Sequence, residues 1–206
     1  MYTPEHFRPD DATAHDLLTG IVAGNLVTST DSGLVATFLP ALFDPTLGAQ
    51  GALLAHVARN NDQWKRTANG EALFICDVLD GYVTPSWYAS KAEHGRVVPT
   101  WNYVTVHAYG DLVVHDDPAW LETLVRRLTI RHEAERPDSW SVDDAPEAYI
   151  AGQLRAIVGI EVRLTRVEAK VKMSQNRPRQ DIDGVADGYS HDGRADMADW
   201  VRSSSS

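Results

Sequence analysis

Cysteine occurs once in this chain of 206 residues, at Cys76, so an intrachain disulfide and a cysteine-built metal cluster are both excluded. The thiol sits in the apolar segment EALFICDVL, where a buried, inert side chain is the expectation. Basic residues are also scarce: 19 Lys and Arg face 29 Asp and Glu, a formal net charge of −10. That balance excludes indiscriminate nucleic-acid binding, which rests on neutralising phosphates, and leaves open only a local basic patch on a dimer. No apolar run approaches the roughly 18 residues of a membrane-spanning helix. The N-terminus, MYTPEHFRPDD, is polar and acidic where a secretory signal is basic and then apolar. A cytoplasmic protein without membrane partners is the expectation. Glycine-rich nucleotide motifs, a P-loop, G-x-S-x-G and H-E-x-x-H are all missing, which removes support for nucleotide hydrolysis and zinc proteolysis.

What is present reads as one domain, residues 1–206, with 43% apolar residues and no second composition regime. DDATAHDLLTGIVAG has the spacing of a short amphipathic helix. NLVTST, LVATFLP and GALLAHV, separated by DSG and DPTLGAQG, read as antiparallel strands. NNDQWKRTANG suggests one or two helical turns before EALFICDVLDGYV returns to strand. TPSWYASKAEHGRVVP, bracketed by Pro85 and Pro99, cannot be a central strand and reads as a long loop. TWNYVTVHAYGDLVV alternates, with Trp101, Tyr103, Thr105, His107 and Tyr109 on one face and Asn102, Val104, Val106 and Ala108 on the other. DPAWLETLVRRLTIRHEAE is a helix with Asp117 as N-cap and Pro118 at its first position. APEAYIAGQLRA is a second helix. In IVGIEVRLTRVEAKVKMSQNR the apolar positions change phase, which implies a bulge or a strand whose buried side switches. Helical pieces over about 178–202 close the chain. About seven strands with few helices give a mainly β (α+β) fold, a small β-barrel with peripheral helices.

Four polar and aromatic clusters could carry chemistry: HVARNNDQWK, TPSWYASK, VPTWNYVTVHAYG and KMSQNRPR. Arg59, Lys65, Lys91, Lys172 and Arg177 could each pair with a phosphate or carboxylate. Trp64, Trp87, Tyr88, Trp101 and Tyr103 could stack on a planar ring, although Trp101 and Tyr103 also suit an aromatic core face. His56, at the end of an apolar strand, could ligate haem iron or hydrogen-bond within a wall. His107 shares a face with three aromatics and reads as a core or pocket-edge histidine, and His6, His15, His94, His115, His132 and His191 show no metal-like spacing to one another.

In order, MYTPEHFRPDD, HVARNNDQWK, YVTPSWYASK, VPTWNYVTVHAYG, WSVDDAPEAYIAGQLRAIVGIEV and KMSQNRP resemble the successive blocks of the PaiB-type family, labelled FMN-binding negative transcriptional regulators. The resemblance implies an FMN-binding split barrel, a homodimer with cofactor sites where two barrels meet. It carries over, as cofactor-binding candidates, His56, Arg59, Asn60, Trp64, Lys65, Ser86, Trp87, Tyr88, Trp101, Asn102, Ser174, Gln175 and Asn176. Two departures stand out: Phe38 in ATFLP and the VLDGYV stretch occupy places where the family often has histidine. FMN is the cofactor implied first, with Arg59 and Lys65 near its phosphate. The blocks also resemble the haem-dependent piperazate synthases, which implies haem instead, with His56 as the iron ligand and an N–N bond formed in an N-hydroxylated diamine. A flavin-dependent oxidoreductase is a third implication. Direct DNA binding, as the family label suggests, meets no helix-turn-helix here, and no catalytic residue is assigned.

Overall fold

The computed structural model describes residues 1–66 and 71–205. Seven strands are hydrogen-bonded in the order β2-β1-β5-β6-β7-β4-β3. They are β1 (Ala23–Thr30), β2 (Gly33–Pro40), β3 (Leu42–Asp44), β4 (Ala52–Ala58), β5 (Glu71–Val83), β6 (Thr100–His115) and β7 (Ile157–Lys172). The helices are α1 (Asp11–Gly20), α2 (Gln63–Arg66), α3 (Ser90–His94), α4 (Pro118–Glu133), α5 (Glu147–Arg155), α6 (Arg179–His191) and α7 (Ala195–Ser203). This is an α+β fold of the split-barrel type, with β2 and β3 left as the sheet's edges. The short β3 is the strand that sequence patterning does not reveal, since three residues give no periodicity to read.

Local chemistry explains most boundaries. β1 and β2 form an antiparallel hairpin in register from Ala23↔Pro40 to Thr30↔Gly33. Gly33 closes it at φ 108°, a backbone conformation open to glycine, while Thr30 Oγ1 donates to the Gly33 carbonyl at 2.8 Å. At the start of α4 the Asp117 carboxylate accepts the Trp120 amide at 3.0 Å, and Pro118 occupies the first turn where no donor is needed. The loop between Pro85 and Pro99 holds no strand, as expected, but contains a 3-10 turn at Pro85–Trp87 and α3, which Gly95 ends at φ 66°. Of the helical turns expected in NNDQWKRTANG, α2 is observed; residues 67–70 lie outside the described residues.

The chain forms two compact units. The first comprises Met1–Asp16, Asp77–Val106 and Glu168–Ser206; the second comprises Leu17–Cys76 and His107–Val167. β5, β6 and β7 contribute to both. In the second unit β7 buries Val158, Ile160, Val162 and Leu164; in the first it buries Val171 and is followed by buried Met173. β5 shifts parity likewise, from Ala72, Phe74 and Cys76 to Gly81 and Val83. The phase change legible in the sequence is thus a strand leaving one core for another. In the second unit α4 lays Leu124 and Leu128 on Ala52 and Leu54 of β4. In the first, α6 and α7 bury Val185, Tyr189, Met197 and Val201. Among the described residues no helix is long and apolar enough to cross a membrane.

Candidate functional site

Five of the thirteen candidate residues lie in the second unit. His56 stands on β4 opposite Gly159 of β7, at the one half-buried position in an otherwise buried run. Its side chain lines a cleft of about 500 Å³ with Pro40, Val125, Leu128, His132 and Trp140. No hydrogen bond reaches its ring among the described residues, and burial pushes its pKa below the ordinary imidazole value. The ring is therefore neutral at pH 7 and keeps a nitrogen lone pair available.

Arg59 is differently placed. Its guanidinium makes a bidentate pair with Asp116, at 3.1 Å for one arm, and donates to the carbonyls of Arg155 at 2.7 Å and Ile157 at 3.0 Å. Hydrogen bonding to Asp116 raises its pKa above the usual guanidinium value. Every arm of the fork is taken, so Arg59 clips β4 to the start of β7. Trp64 Nε1 donates to the Arg59 carbonyl at 3.2 Å, Lys65 lies 3.7 Å from Asp62 and 4.9 Å over the Trp64 ring, and Asn60 is exposed.

The same unit holds a buried carboxylate that sequence spacing does not flag. Glu161 accepts from Arg163 Nε at 2.7 Å and lies 2.6 Å from His115 Nε2, whose ring stacks on Trp120 at 4.0 Å. Burial pushes its pKa up, but the Arg163 and His115 contacts together outweigh that and hold it below the ordinary carboxylate value. Its partners are two residues away and on another strand, a pairing visible only once register is known.

The remaining eight candidates fall in the first unit. Trp101 is 52% exposed and meets the Tyr82 ring edge-on at 6.1 Å, so the face bearing Trp101 and Tyr103 is not a core face. The core is formed by the opposite positions, Asn102, Val104 and Val106, all at 0% exposure. Trp87 meets Tyr189 edge-on at 5.0 Å, Tyr88 is buried, and Ser86 accepts from Lys91 Nζ at 3.1 Å. Asn102 Oδ1 accepts from Ser174 Oγ at 3.1 Å, while Asn102 Nδ2 is buried with no partner. Ser174 is the one non-glycine residue with positive φ among the described residues, at 66°. Gln175 is committed locally, accepting from the Met173 amide at 2.7 Å and donating to the Val171 carbonyl at 2.6 Å; Asn176 is exposed.

Lys170 and Lys172, neighbours on one face of β7, lie 5.3 Å and 5.7 Å from the Tyr103 ring. Lys172 Nζ donates to Thr100 Oγ1 at 2.6 Å and to the Trp101 carbonyl. Burial, followed by the charges of Lys170 and Arg177, lowers its pKa below the usual ammonium value. Lys170 is absent from the thirteen candidates; its alternation with Val171 and Met173 is the signal that places it beside Lys172.

A family model described as "Putative FMN-binding domain" matches residues 1–166. An uncharacterised protein of Aspergillus fumigatus is 40% identical over 172 residues, covering 68% of this chain and 66% of its own length, so the match spans just under two thirds of that relative. The protease synthase and sporulation protein PAI 2 of Bacillus subtilis is 28% identical over 187 residues, covering 90% of this chain and 87% of that one. Among solved structures, the flavocytochrome Anf3 from Azotobacter vinelandii superposes with a TM-score of 0.59 at 14% identity, covering 80% of this chain and 68% of that one. At that identity the likeness concerns the fold alone.

Proposed function

This chain belongs to the FMN-binding domain family, in its PaiB-like branch, and from that premise we propose that it is a cofactor-binding protein holding FMN on its first unit. The observation that carries this reading is the outward face of β5 and β6 there. Trp101 and Tyr82 stand about half exposed on it, beside Tyr103 and the ammonium groups of Lys170 and Lys172. A flat ring system with an anionic arm fits that donor set, because aromatic faces stack on it while cations take its charge. FMN supplies hydride or single-electron chemistry when bound, and the residues named would bind and orient it.

Fluorescence titration with FMN tests the proposal. Quenching with a defined end point is the expected result in the parent chain, and Trp101→Ala should weaken binding by about tenfold if stacking carries affinity. No quenching in the parent, or none of the loss in Trp101→Ala, counts against it.

A second reading is favoured by His56: a neutral imidazole with no hydrogen-bond partner among the described residues, in a largely apolar cleft that His132 and Glu133 also line, fits a ligand to haem iron. It would make the chain a haem enzyme, of the piperazate synthase type or otherwise. Self-association is proposed as well. On the edge strand β2, Leu34 and Phe38 are 77% and 67% exposed on one face, a patch suited to a second copy. Sedimentation equilibrium should return a dimer mass that falls to monomer in Phe38→Glu; a monomeric parent overturns it.

A further inference from the structure

We infer that the cleft beside His56 is a binding site for an organic ammonium, a primary amine with an apolar body and no carboxylate. The cleft, of about 500 Å³, lies wholly in the second unit. One wall is α4, where Val125, Leu128 and Thr129 stand three and four residues apart on one helix face. A second is the open end of the β1–β2 hairpin, where Ala23 and its register partner Pro40 line the space. Glu133 and Trp140 close the third side.

The polar groups in this lining are acceptors. His56 has no hydrogen-bond partner among the described residues, and its neutral ring keeps a nitrogen lone pair. Thr129 adds a hydroxyl, Glu133 a carboxylate and Trp140 the face of an indole. Among the described residues neither a lysine nor an arginine lines the space. Glu133 is half-buried, and its Oε2 accepts the Trp140 amide at 3.1 Å, which holds the carboxylate beside the residue that supplies the indole. Its Oε1 lies 3.5 Å from Nε of the exposed Arg136, a surface pair that contributes little and leaves the carboxylate open to a second cation. The loop bearing Trp140 is fastened in turn, by the Ser141–Asp144 capping box and by the Arg126–Asp143 ion pair at 2.8 Å. Its backbone is therefore set before a ligand arrives.

An ammonium is the class that such a set selects. It donates to the carboxylate, the hydroxyl and the imidazole and is attracted by the indole face, while the apolar walls take the carbon body. A ligand carrying a carboxylate, free amino acids included, would bring a second anion to Glu133 with no lysine or arginine in the lining to receive it. The net charge of −10 adds a long-range attraction for a cation. The inference goes beyond both cofactor readings. FMN is proposed on the first unit, and the haem reading uses His56 alone, leaving Thr129, Glu133 and Trp140 without a role.

Isothermal titration calorimetry on the parent chain, with neither cofactor added, compares 2-phenylethylamine at pH 7 with 2-phenylethanol and 3-phenylpropionate at equal ionic strength. The amine should bind at least about tenfold tighter than the alcohol, and the carboxylate should not bind. Glu133→Gln, which keeps an acceptor for the Trp140 amide, should shrink the amine-to-alcohol ratio and leave the affinity for the alcohol unchanged. Trp140→Leu, which keeps apolar area but removes the indole face, should shrink the ratio as well. Proton NMR locates the ligand: the His56 imidazole resonances, assigned by their loss in His56→Gln, should move as the amine is added. Equal affinities for amine and alcohol in the parent, a carboxylate that binds as tightly as the amine, an undiminished ratio in Glu133→Gln, unmoved His56 resonances, or no binding at all would each overturn the site. None of these results bears on the flavin reading, which the FMN titration decides separately.

Discussion

In a His56→Ala protein, the Soret band expected when haem is added to the parent chain should vanish, while FMN binding should be unchanged. The expectation follows from the imidazole's surroundings. Burial keeps the ring neutral, no hydrogen bond in the described residues competes for its nitrogens, and Val125, Leu128 and Trp140 supply an apolar wall. A neutral imidazole so placed is the form that ligates iron. The lowered pKa sets the direction of the pH dependence: protonation competes with ligation only below the ordinary imidazole value, so the band should persist to more acidic pH than an exposed histidine allows. His132 lines the same cleft but is exposed, so His132→Ala should keep the band. Free imidazole added to His56→Ala should restore part of it. Absence of the band in the parent, or its survival in His56→Ala, ends the haem reading. FMN is spared because the residues proposed to hold it belong to the first unit.

Periodicity made the long elements legible. β6 alternates along its first half apart from the buried Thr105, α4 carries its own cap, and the phase change in β7 marks where its buried side switches. Sequence could not say which face of β6 was core, because Asn102 sits in the buried row and Trp101 in the exposed one, against the usual preferences of amide and indole. Nor could it separate a free cation from a committed one. Arg59 and Arg177 look alike in a string of residues, yet Asp116 and two carbonyls occupy the first, while no carboxylate pairs with the second among the described residues. Availability is a property of partners distant in sequence. The candidate blocks were therefore readable as blocks, and the division of labour inside them was not. Gln175 is a case in point, since its amide is spent on the backbone of its own turn.

Gly184 has an importance that its place in a helix conceals. Glycine within a helix normally costs about 1 kcal/mol relative to alanine, so Gly184→Ala in α6 would be stabilising if the site were open. Here an added methyl would stand 2.1 Å from the Trp87 carbonyl oxygen, a backbone atom that cannot rotate away. One turn on, a methyl at Gly188 would meet the Trp87 indole at 2.3 Å. The two glycines thus form the groove that seats the 3-10 turn Pro85–Trp87, and overpacking it should lower stability by about 3 kcal/mol. For a chain of this size that corresponds to a melting temperature lower by about 6–12 °C. Gly20→Ala is the control, because nothing lies within 4 Å of its added methyl, and as an open glycine of α1 it should melt at or above the parent. A Gly184→Ala protein that melts with the parent would mean that α6 and the turn slide apart without cost, and that the tryptophan is not held by the helix.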